Sequence, residues 1–157
     1  MKYSLVVGID PDLDKNGVAV LKDGLLAELK GLKFTALQAF IKAHPDAVYV
    51  LEDVELNKPT FNRNLNDKAN LKVAQNVGMV KGVARLIAEF LEEQDCRYTK
   101  TRPLIGHLKH AKKDAAYFNR LTGWEGKSNQ DTRDAALLAI YGVGGGKLIL
   151  RPSEVPH

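Results

Sequence analysis

The hydrophobic positions at the start of the chain follow the pattern of β-strands. Residues 3–10 are rich in Val, Leu and Ile, and two further apolar runs occupy residues 18–22 ("VAVLK") and 25–31 ("LLAELKG"). Asn16-Gly17 and Asp23-Gly24 separate these runs, and both dipeptides are typical of tight hairpin turns. The pattern therefore predicts three antiparallel strands joined by two hairpins.

Helix and strand patterns alternate after the hairpins. Thr35 and Gln38 have the spacing of a capping box ahead of "ALQAFIKA", which predicts a helix that ends at His44-Pro45. Residues 47–52, "AVYVLE", are apolar nearly throughout, as is typical of an interior strand. The polar, Asn-rich residues 53–69 predict either a long loop or a mobile extension of the helix that follows.

The longest helical pattern runs from residue 70 to residue 94, where apolar residues recur at helical spacing. Lys81 and Arg85 inside this stretch exclude a helix that crosses a bilayer. Gly78 and Gly82, four residues apart, allow another backbone to approach the helix closely. That backbone belongs either to the domain's own sheet or to a second copy of the chain.

The last third of the chain completes the predicted α/β order. Residues 96–100, "CRYTK", predict a fifth strand, and basic helices follow to about Leu121. A final helix opens at Ser128 and ends at Gly142. This order predicts a mixed five-stranded sheet, with three antiparallel hairpin strands plus parallel strands, flanked by helices. Residues 1–157 then form a single domain, in which 144–157 is a short tail.

Positive charge is concentrated in one segment. The formal net charge is +4, and residues 96–113 carry six Lys and Arg and no acid. The other 139 residues hold 17 Lys and Arg against 19 Asp and Glu, a net of −2. A local basic segment is what a phosphate backbone binds, and it is equally typical of a solvated helix face. One cysteine, no signal peptide and no long apolar run together predict a cytoplasmic protein without internal disulfides.

Two apolar strands end in a carboxylate. Asp10 closes the first predicted strand and Glu52 closes the fourth. Side chains alternate along a strand, so Asp10 shares a face with Gly8, and Glu52 shares a face with Val50. The fourth strand of such a sheet lies beside the first, which brings the two carboxyl ends together.

The last predicted helix adds a second pair of acids. Asp131 and Asp134 are three residues apart and project from one face. If this helix packs across the strand ends, four carboxylates converge, and hard oxygen ligands of this kind favour Mg²⁺ or Mn²⁺. Each acid also has a purely structural interpretation, as a turn residue, a surface strand end, a first-turn helix acid or a surface ion-pair partner of Arg133 or Lys127.

The acidic segments resemble those of a known nuclease family. "GIDPDLDKNGVAV", "VYVLEDV" and "QDTRDAALLAI" are similar to the three acidic motifs of RuvC-type Holliday junction resolvases, within the RNase H-like superfamily. "LKVAQNVGMVKGVARLIAEFLEE" is similar to the central helix of that family. The resemblance spans about residues 4–142. The small size and divergent loops resemble phage-encoded members, for which the expected location is the bacterial host cytoplasm.

The resemblance implies a Mg²⁺-dependent endodeoxyribonuclease of DNA recombination and repair. Such an enzyme resolves four-way junctions as a homodimer, by paired hydrolysis that gives 5′-phosphate ends, with two Mg²⁺ ions about 3.5–4 Å apart at the scissile phosphate and Mn²⁺ as a substitute. By position, the catalytic and metal-binding acids are Asp10, Glu52, Asp131 and Asp134. Lys113 matches a basic residue near the scissile phosphate, with Lys109 and Lys112 as alternatives. The expected DNA contacts are Phe61, Arg63, Lys68, Lys72, Arg102, Lys109, Lys112 and Lys113.

The sequence also departs from the family pattern. Glu55 occupies a position where the family often has an aromatic residue that enters the junction, and Phe61 either replaces that residue or belongs to the core. Three alternatives to a junction resolvase remain open. They are a broader nuclease for flaps and forks, an RNase H-like RNA nuclease, and a non-catalytic protein that binds branched DNA.

Overall fold

The computed structural model describes residues 3–56, 62–144 and 148–156, which form five strands and five α-helices. In chain order these are β1 (Leu5–Asp10), β2 (Asn16–Lys22), β3 (Leu25–Leu32), α1 (Phe34–Ala43), β4 (Val48–Glu52), α2 (Asp67–Glu93), β5 (Arg97–Thr101), α3 (Gly106–Lys113), α4 (Ala115–Thr122) and α5 (Gln130–Tyr141). Short 3₁₀ turns at Val54–Leu56 and Pro152–Glu154 follow β4 and α5, respectively.

The strands form the mixed sheet that the sequence predicts. Their order is β3-β2-β1-β4-β5, in which β1, β2 and β3 pair antiparallel and β4 lies parallel to both β1 and β5. Asp23 and Gly24 connect β2 to β3 with φ angles of 47° and 82°. Positive φ at both central residues is what a tight hairpin turn requires, so this prediction is confirmed.

The prediction of a second tight turn at Asn16-Gly17 is wrong, because both residues belong to β2. Gly17 pairs with Asp10, and residues 11–15 make the connection between the strands. The Asn16 side chain accepts the backbone N–H of Asp12 at 3.0 Å and donates to the Leu32 carbonyl at 3.1 Å. Glycine is required at 17 for a packing reason, since a Cβ there would lie 2.3 Å from the carbonyl oxygen of Asp131.

The helix starts differ from the predicted capping boxes. Lys33 is the N-cap of α1 and makes no side-chain capping bond, so Thr35 lies inside the first turn. The capping box of α5 is real but lies one residue later than predicted. It joins Asn129 and Thr132, whose side chains each accept the other's backbone N–H at 2.9 Å.

The longest helix, α2, begins at Asp67, within the segment predicted as a loop. Asn66 caps it by accepting the Ala69 N–H at 2.8 Å. Its C-terminal part buries Ile87 and Leu91 against the sheet, whereas much of its N-terminal part is exposed. No helix in the described ranges has both the length and the apolarity to cross a membrane.

The two faces of the sheet carry different helices. Val7, Ile9 and Tyr49 face a core that includes α1 and α2, whereas Val6 and Val50 pack with residues of α5. Because strand side chains alternate, the even-numbered Asp10 and Glu52 point to the α5 face. The predicted faces of both carboxylates are thereby confirmed.

Helix α5 lies directly on β1. A Cβ at Gly8 would lie 1.9 Å from the carbonyl oxygen of Ala135 and 3.1 Å from the amide nitrogen of Ala139, so only glycine allows this approach. Eight of the twelve residues of α5 are buried, from Thr132 to Ala139. The contact fixes the height at which Asp134 stands above the strand ends.

The C-terminal segment packs at the amino-terminal ends of β4 and β5, opposite the strand ends that carry Asp10 and Glu52. Ile149 is buried, and its N–H donates to the Tyr3 hydroxyl at 2.9 Å. Arg151 donates to the Asp95 carbonyl at 2.9 Å and pairs with Asp46 at 2.7 Å. Ser153 hydrogen-bonds the carboxylate of Asp95 through both its N–H and its hydroxyl. The segment predicted as a short tail is thus held to the starts of β4 and β5.

Candidate active site

Three acids meet at the carboxyl ends of β1 and β4. Asp10, Glu52 and Asp134, called here the acidic trio, each offer a carboxylate oxygen, and these oxygens all lie within 4.8 Å of one another. The parallel register that pairs Gly8 with Val50 places Asp10 beside Glu52, and α5 supplies Asp134 from above. The trio residues are only 7%, 9% and 1% exposed, respectively.

Burial makes the ionisation of the acidic trio costly. Burial, followed by the charges of Asp134 and Glu52, raises the pKa of Asp10 from 3.8 to about 10. Burial and the charge of Asp134 raise the pKa of Glu52 from 4.5 to about 6, and burial also raises the pKa of Asp134. Three ionised carboxylates at this spacing therefore need a cation beside them.

The donor set of the trio fits a divalent metal ion. Both carboxylate oxygens of Asp134 are buried and have no hydrogen-bond partner among the described residues. Buried carboxylate oxygens are normally hydrogen-bonded, so the two oxygens of Asp134 are available as ligands to a cation. Clustered carboxylates are the hard ligands that Mg²⁺ and Mn²⁺ prefer, and among the described residues the acidic trio is the group that can hold one.

The structure brings three of the four predicted acids together, and Asp131 is not part of that group. A residue three positions earlier on a helix is rotated by about 60° and lies about 4.5 Å along the axis. The Asp131 backbone packs on Gly17 of β2, and its half-buried side chain is still close enough to act electrostatically on Asp134 and Lys112.

A basic cavity of about 270 Å³ opens beside the trio. It is lined by Glu52, Pro103, Leu104, Lys109, Lys112, Lys113, Gln130 and Asp134. The lysine that reaches the acids is Lys112, whose Nζ is 3.7 Å from Oδ2 of Asp134, whereas Lys113 is exposed. Of the three lysines that the sequence left as alternatives, the geometry therefore favours Lys112 as the one nearest the acids.

The acids of the trio raise the pKa of Lys112. Burial acts to lower the pKa of its ammonium group, but the charges of Asp134, Asp10 and Glu52 outweigh that effect. The pKa of Lys112 is therefore raised above its ordinary value, and the group is a cation at neutral pH.

A buried arginine behind the site was not predicted from the sequence. Arg133 is 7% exposed and donates through Nε to the carbonyl of Lys112 at 2.8 Å and through Nη1 to the Ser128 hydroxyl at 2.9 Å. Its interpretation as a surface partner of Asp134 is wrong, because these bonds direct the guanidinium toward the end of α3. No local pattern could have predicted this contact, since the carbonyl acceptor lies 21 positions away.

The remaining basic candidates lie on the surface at two places. Arg102, exposed, follows β5 and adjoins the basic cavity, which Lys109 also lines. Lys68 and Lys72 line a hollow of about 590 Å³ at the start of α2, and Arg63 is exposed just before that helix. Phe61 lies outside the described residues.

Glu55 forms an ion pair with Arg85 of α2. Its carboxylate accepts two hydrogen bonds from the Arg85 guanidinium, at 2.5 and 3.0 Å, and this pair lowers the pKa of Glu55. The position where the family often has an aromatic residue is therefore occupied here by one half of a bidentate ion pair, three residues beyond Glu52.

The comparisons with known proteins agree on the fold. The chain is similar to the structure of T. thermophilus RuvC in complex with a Holliday junction substrate, with 19% identity, a TM-score of 0.56, and coverage of 88% of this chain and 91% of that one. A second Thermus thermophilus RuvC structure matches with 17% identity, a TM-score of 0.51, and coverage of 87% and 91%. No family model and no curated protein matches the sequence. From its sheet order and these similarities, we conclude that the chain shares the fold of these two RuvC structures.

Proposed function

We propose that the protein is a metal-dependent, structure-selective DNA endonuclease that resolves four-way junctions by paired phosphodiester hydrolysis, leaving 5′-phosphate ends. The observation that carries this proposal is the buried acidic trio with its unpartnered Asp134, set next to a basic cavity in a RuvC-type fold. The similar T. thermophilus RuvC was solved with a Holliday junction substrate.

The trio would hold the Mg²⁺ ions, two per site and replaceable by Mn²⁺, with Asp131 beside it as the fourth acid. A bound divalent ion supplies activation of a water nucleophile and stabilisation of charge on the leaving oxygen. The protein buries Asp10, Glu52 and Asp134, so their carboxylates are shielded from solvent and available to bind a cation. Asp10 must give up its proton for this, so metal binding releases protons near neutral pH.

The basic residues would hold the DNA backbone. Lys109, Lys112 and Lys113 line the cavity beside the trio, where a scissile phosphate would lie. Arg102 adjoins that cavity, and Arg63, Lys68 and Lys72 extend the basic surface at the start of α2, with Phe61 as an aromatic candidate for stacking. Contacts of this kind position a phosphate backbone without reading its sequence, which suits an enzyme that selects structure.

A homodimer fits the chemistry, because resolution needs two symmetric cuts on opposing strands. The exposed face of α2 supports this arrangement. At 100° per residue, Leu71, Gly78, Gly82 and Leu86 fall within a narrow sector of the helix. Both leucines are more than half exposed, and a Cβ at either glycine would meet nothing within 4 Å. We therefore place the two-fold contact on this face of α2.

Incubation with a substrate panel tests the activity. Four-way, flap, fork and linear DNA and an RNA–DNA hybrid are each incubated with and without Mg²⁺, and the cut positions are mapped on every strand. We expect symmetric cuts in opposing strands of the four-way junction, only with Mg²⁺, and none by Asp10→Asn. Junction binding without cleavage would indicate a non-catalytic binding protein, and preferential cutting of the hybrid would indicate an RNA nuclease.

Sedimentation of the purified protein tests the dimer. Wild type should sediment as a dimer, and Leu86→Glu should sediment as a monomer because it places charge on the proposed contact. Leu25→Glu is the matched control, since Leu25 is 75% exposed and lies on the edge strand β3, not on α2. A monomeric wild type would instead fit one-sided cutting of flaps.

A further inference from the structure

We infer that Lys112 is a built-in counter-cation of the acidic trio, which partly neutralises the acids when no metal is bound and opposes metal binding. This inference rests on the proposed function, in that the trio is taken to be a metal site. It assigns Lys112 a role toward the acids themselves, in addition to any contact with DNA phosphate.

The first support is the position of the ammonium group. Lys112 Nζ lies 3.7 Å from Oδ2 of Asp134, in a side chain that is 28% exposed. Its charge also acts on Asp10 and Glu52, so it faces all three members of the trio. Lys109 and Lys113 line the same cavity but are exposed, which leaves Lys112 as the cation nearest the acids among the described residues.

The second support is the length of the contact. At 3.7 Å the ammonium is within ion-pair range of Asp134 but beyond hydrogen-bond distance, and both oxygens of Asp134 stay without a hydrogen-bond partner. A flexible four-carbon stem lets the ammonium move away without any backbone change. Lys112 therefore supplies charge to the trio without occupying the ligand positions of Asp134.

The third support is the way the backbone of Lys112 is held. The buried Arg133, next to Asp134 in α5, donates to the carbonyl of Lys112 at 2.8 Å. This bond fixes the end of α3 against the turn of α5 that carries the acid. Arg133 is thus a positioning residue, which determines how far the base of the Lys112 side chain stands from the trio.

Removal of the Lys112 charge should therefore strengthen metal binding. Two cations beside the same carboxylates repel each other, so the site binds an ion more weakly while the lysine is present. We expect Lys112→Met to bind Mn²⁺ or Mg²⁺ on the order of tenfold more tightly than wild type, a typical size for coupling between neighbouring sites. Lys112→Arg keeps the charge and should stay close to wild type.

Calorimetric titration of the full-length protein with Mn²⁺ and with Mg²⁺, in the absence of DNA, measures this directly. Lys113→Met is the matched control, because it removes an equal charge from the neighbouring, exposed position, and its affinity should stay within about twofold of wild type. Equal affinities in Lys112→Met and Lys113→Met, or weaker binding in Lys112→Met, would overturn the inference.

Thermal melts in EDTA separate this inference from the proposed metal site. Without metal, Lys112→Met should melt at a lower temperature than Lys113→Met, because the trio has lost its cation. This difference should shrink when Asp134→Asn is added to both. If wild type binds no ion, the proposed metal site fails, yet the EDTA melts still decide the counter-cation role: equal melting temperatures reject it.

A double-mutant cycle tests the role of Arg133. In the wild-type background, Arg133→Met should increase the metal affinity. In the Lys112→Met background, the same substitution should leave the metal affinity unchanged. Equal effects of Arg133→Met in both backgrounds would mean that Arg133 acts on the fold alone, and not through Lys112.

Discussion

Gly8→Ala should displace the helix that carries Asp134. The added Cβ would lie 1.9 Å from the carbonyl oxygen of Ala135 and 2.9 Å from its carbonyl carbon, and both atoms are helix backbone. Real Cβ atoms essentially never approach closer than 3.0 Å, so α5 and β1 must separate by roughly 1 Å. No side-chain rotation can relieve this contact.

The expected effects follow from that displacement. Overpacking of a tight core contact costs about 1–3 kcal/mol, and the rigid backbone partner places Gly8→Ala near the upper end. In a domain of this size, ~3 kcal/mol corresponds to a fall in Tm of about 6–12 °C. A displacement of about 1 Å at a catalytic group typically costs about 100-fold in rate, so cleavage should fall by about that factor.

Thermal melts in EDTA measure the loss of stability. Mn²⁺ titration and junction cleavage measure the effect on the site, at a temperature where circular dichroism shows that the variant is folded. Gly31→Ala is the matched control, because it makes the same change on β3 of the same sheet and meets only the Lys15 side chain, at 3.4 Å or more. It should stay within about 0.5 kcal/mol of wild type. If Gly8→Ala has the melting temperature, metal affinity and cleavage rate of wild type, then the close contact between α5 and Gly8 does not determine the position of Asp134.

Three further predictions concern the trio and the end of the chain. Millimolar Mg²⁺ should raise the Tm of wild type, and Asp134→Asn should abolish that gain; an unchanged wild-type melt would contradict the metal site. In EDTA, the folded state keeps the Glu52 proton up to about pH 6, whereas the unfolded chain releases it near 4.5. The contribution of Glu52 to stability is thus full below about pH 4.5 and is lost as the pH rises through 6, by about 2 kcal/mol. Because Asp10 and Asp134 also have raised pKa values, urea unfolding should show a loss of stability in both proteins that is about 2 kcal/mol smaller in Glu52→Gln than in wild type. Arg151→Ala should lower the free energy of unfolding by about 1–3 kcal/mol without changing the cleavage rate, because its partners Asp46 and Asp95 precede β4 and β5, at the strand ends opposite the acidic trio. A changed rate at unchanged stability would argue against this purely structural role.

Strand periodicity and the order of elements were enough to predict the sheet, the neighbouring positions of β1 and β4, and the face on which Asp10 and Glu52 lie. Period-two alternation is local, and the parallel pairing follows from the helix between the strands. The turn at Asp23-Gly24 was predictable for the same reason, since two residues with positive φ decide it.

The failures concern contacts between distant segments. Asn16-Gly17 has the composition of a turn, yet its glycine is needed because Asp131 packs on it from a helix more than a hundred residues later. Asp131 and Asp134 share a helix face by spacing alone, but the depth of α5 above the sheet decides that only Asp134 joins the trio. Arg133 donates to the backbone carbonyl of Lys112. Every residue has such a carbonyl, so the sequence at position 112 does not predict this contact.

The members of the trio are widely spread along the chain, and this spread has a consequence for biosynthesis. Residues 10 and 52 leave the ribosome before residue 134, which belongs to α5, the helix that covers β1 and β2. Domains generally fold as units, so a nascent or truncated polypeptide that stops before α5 has an open sheet and two of the three acids. A chain with the hydrolytic activity proposed here would therefore be harmless to nucleic acid until α5 has been synthesised.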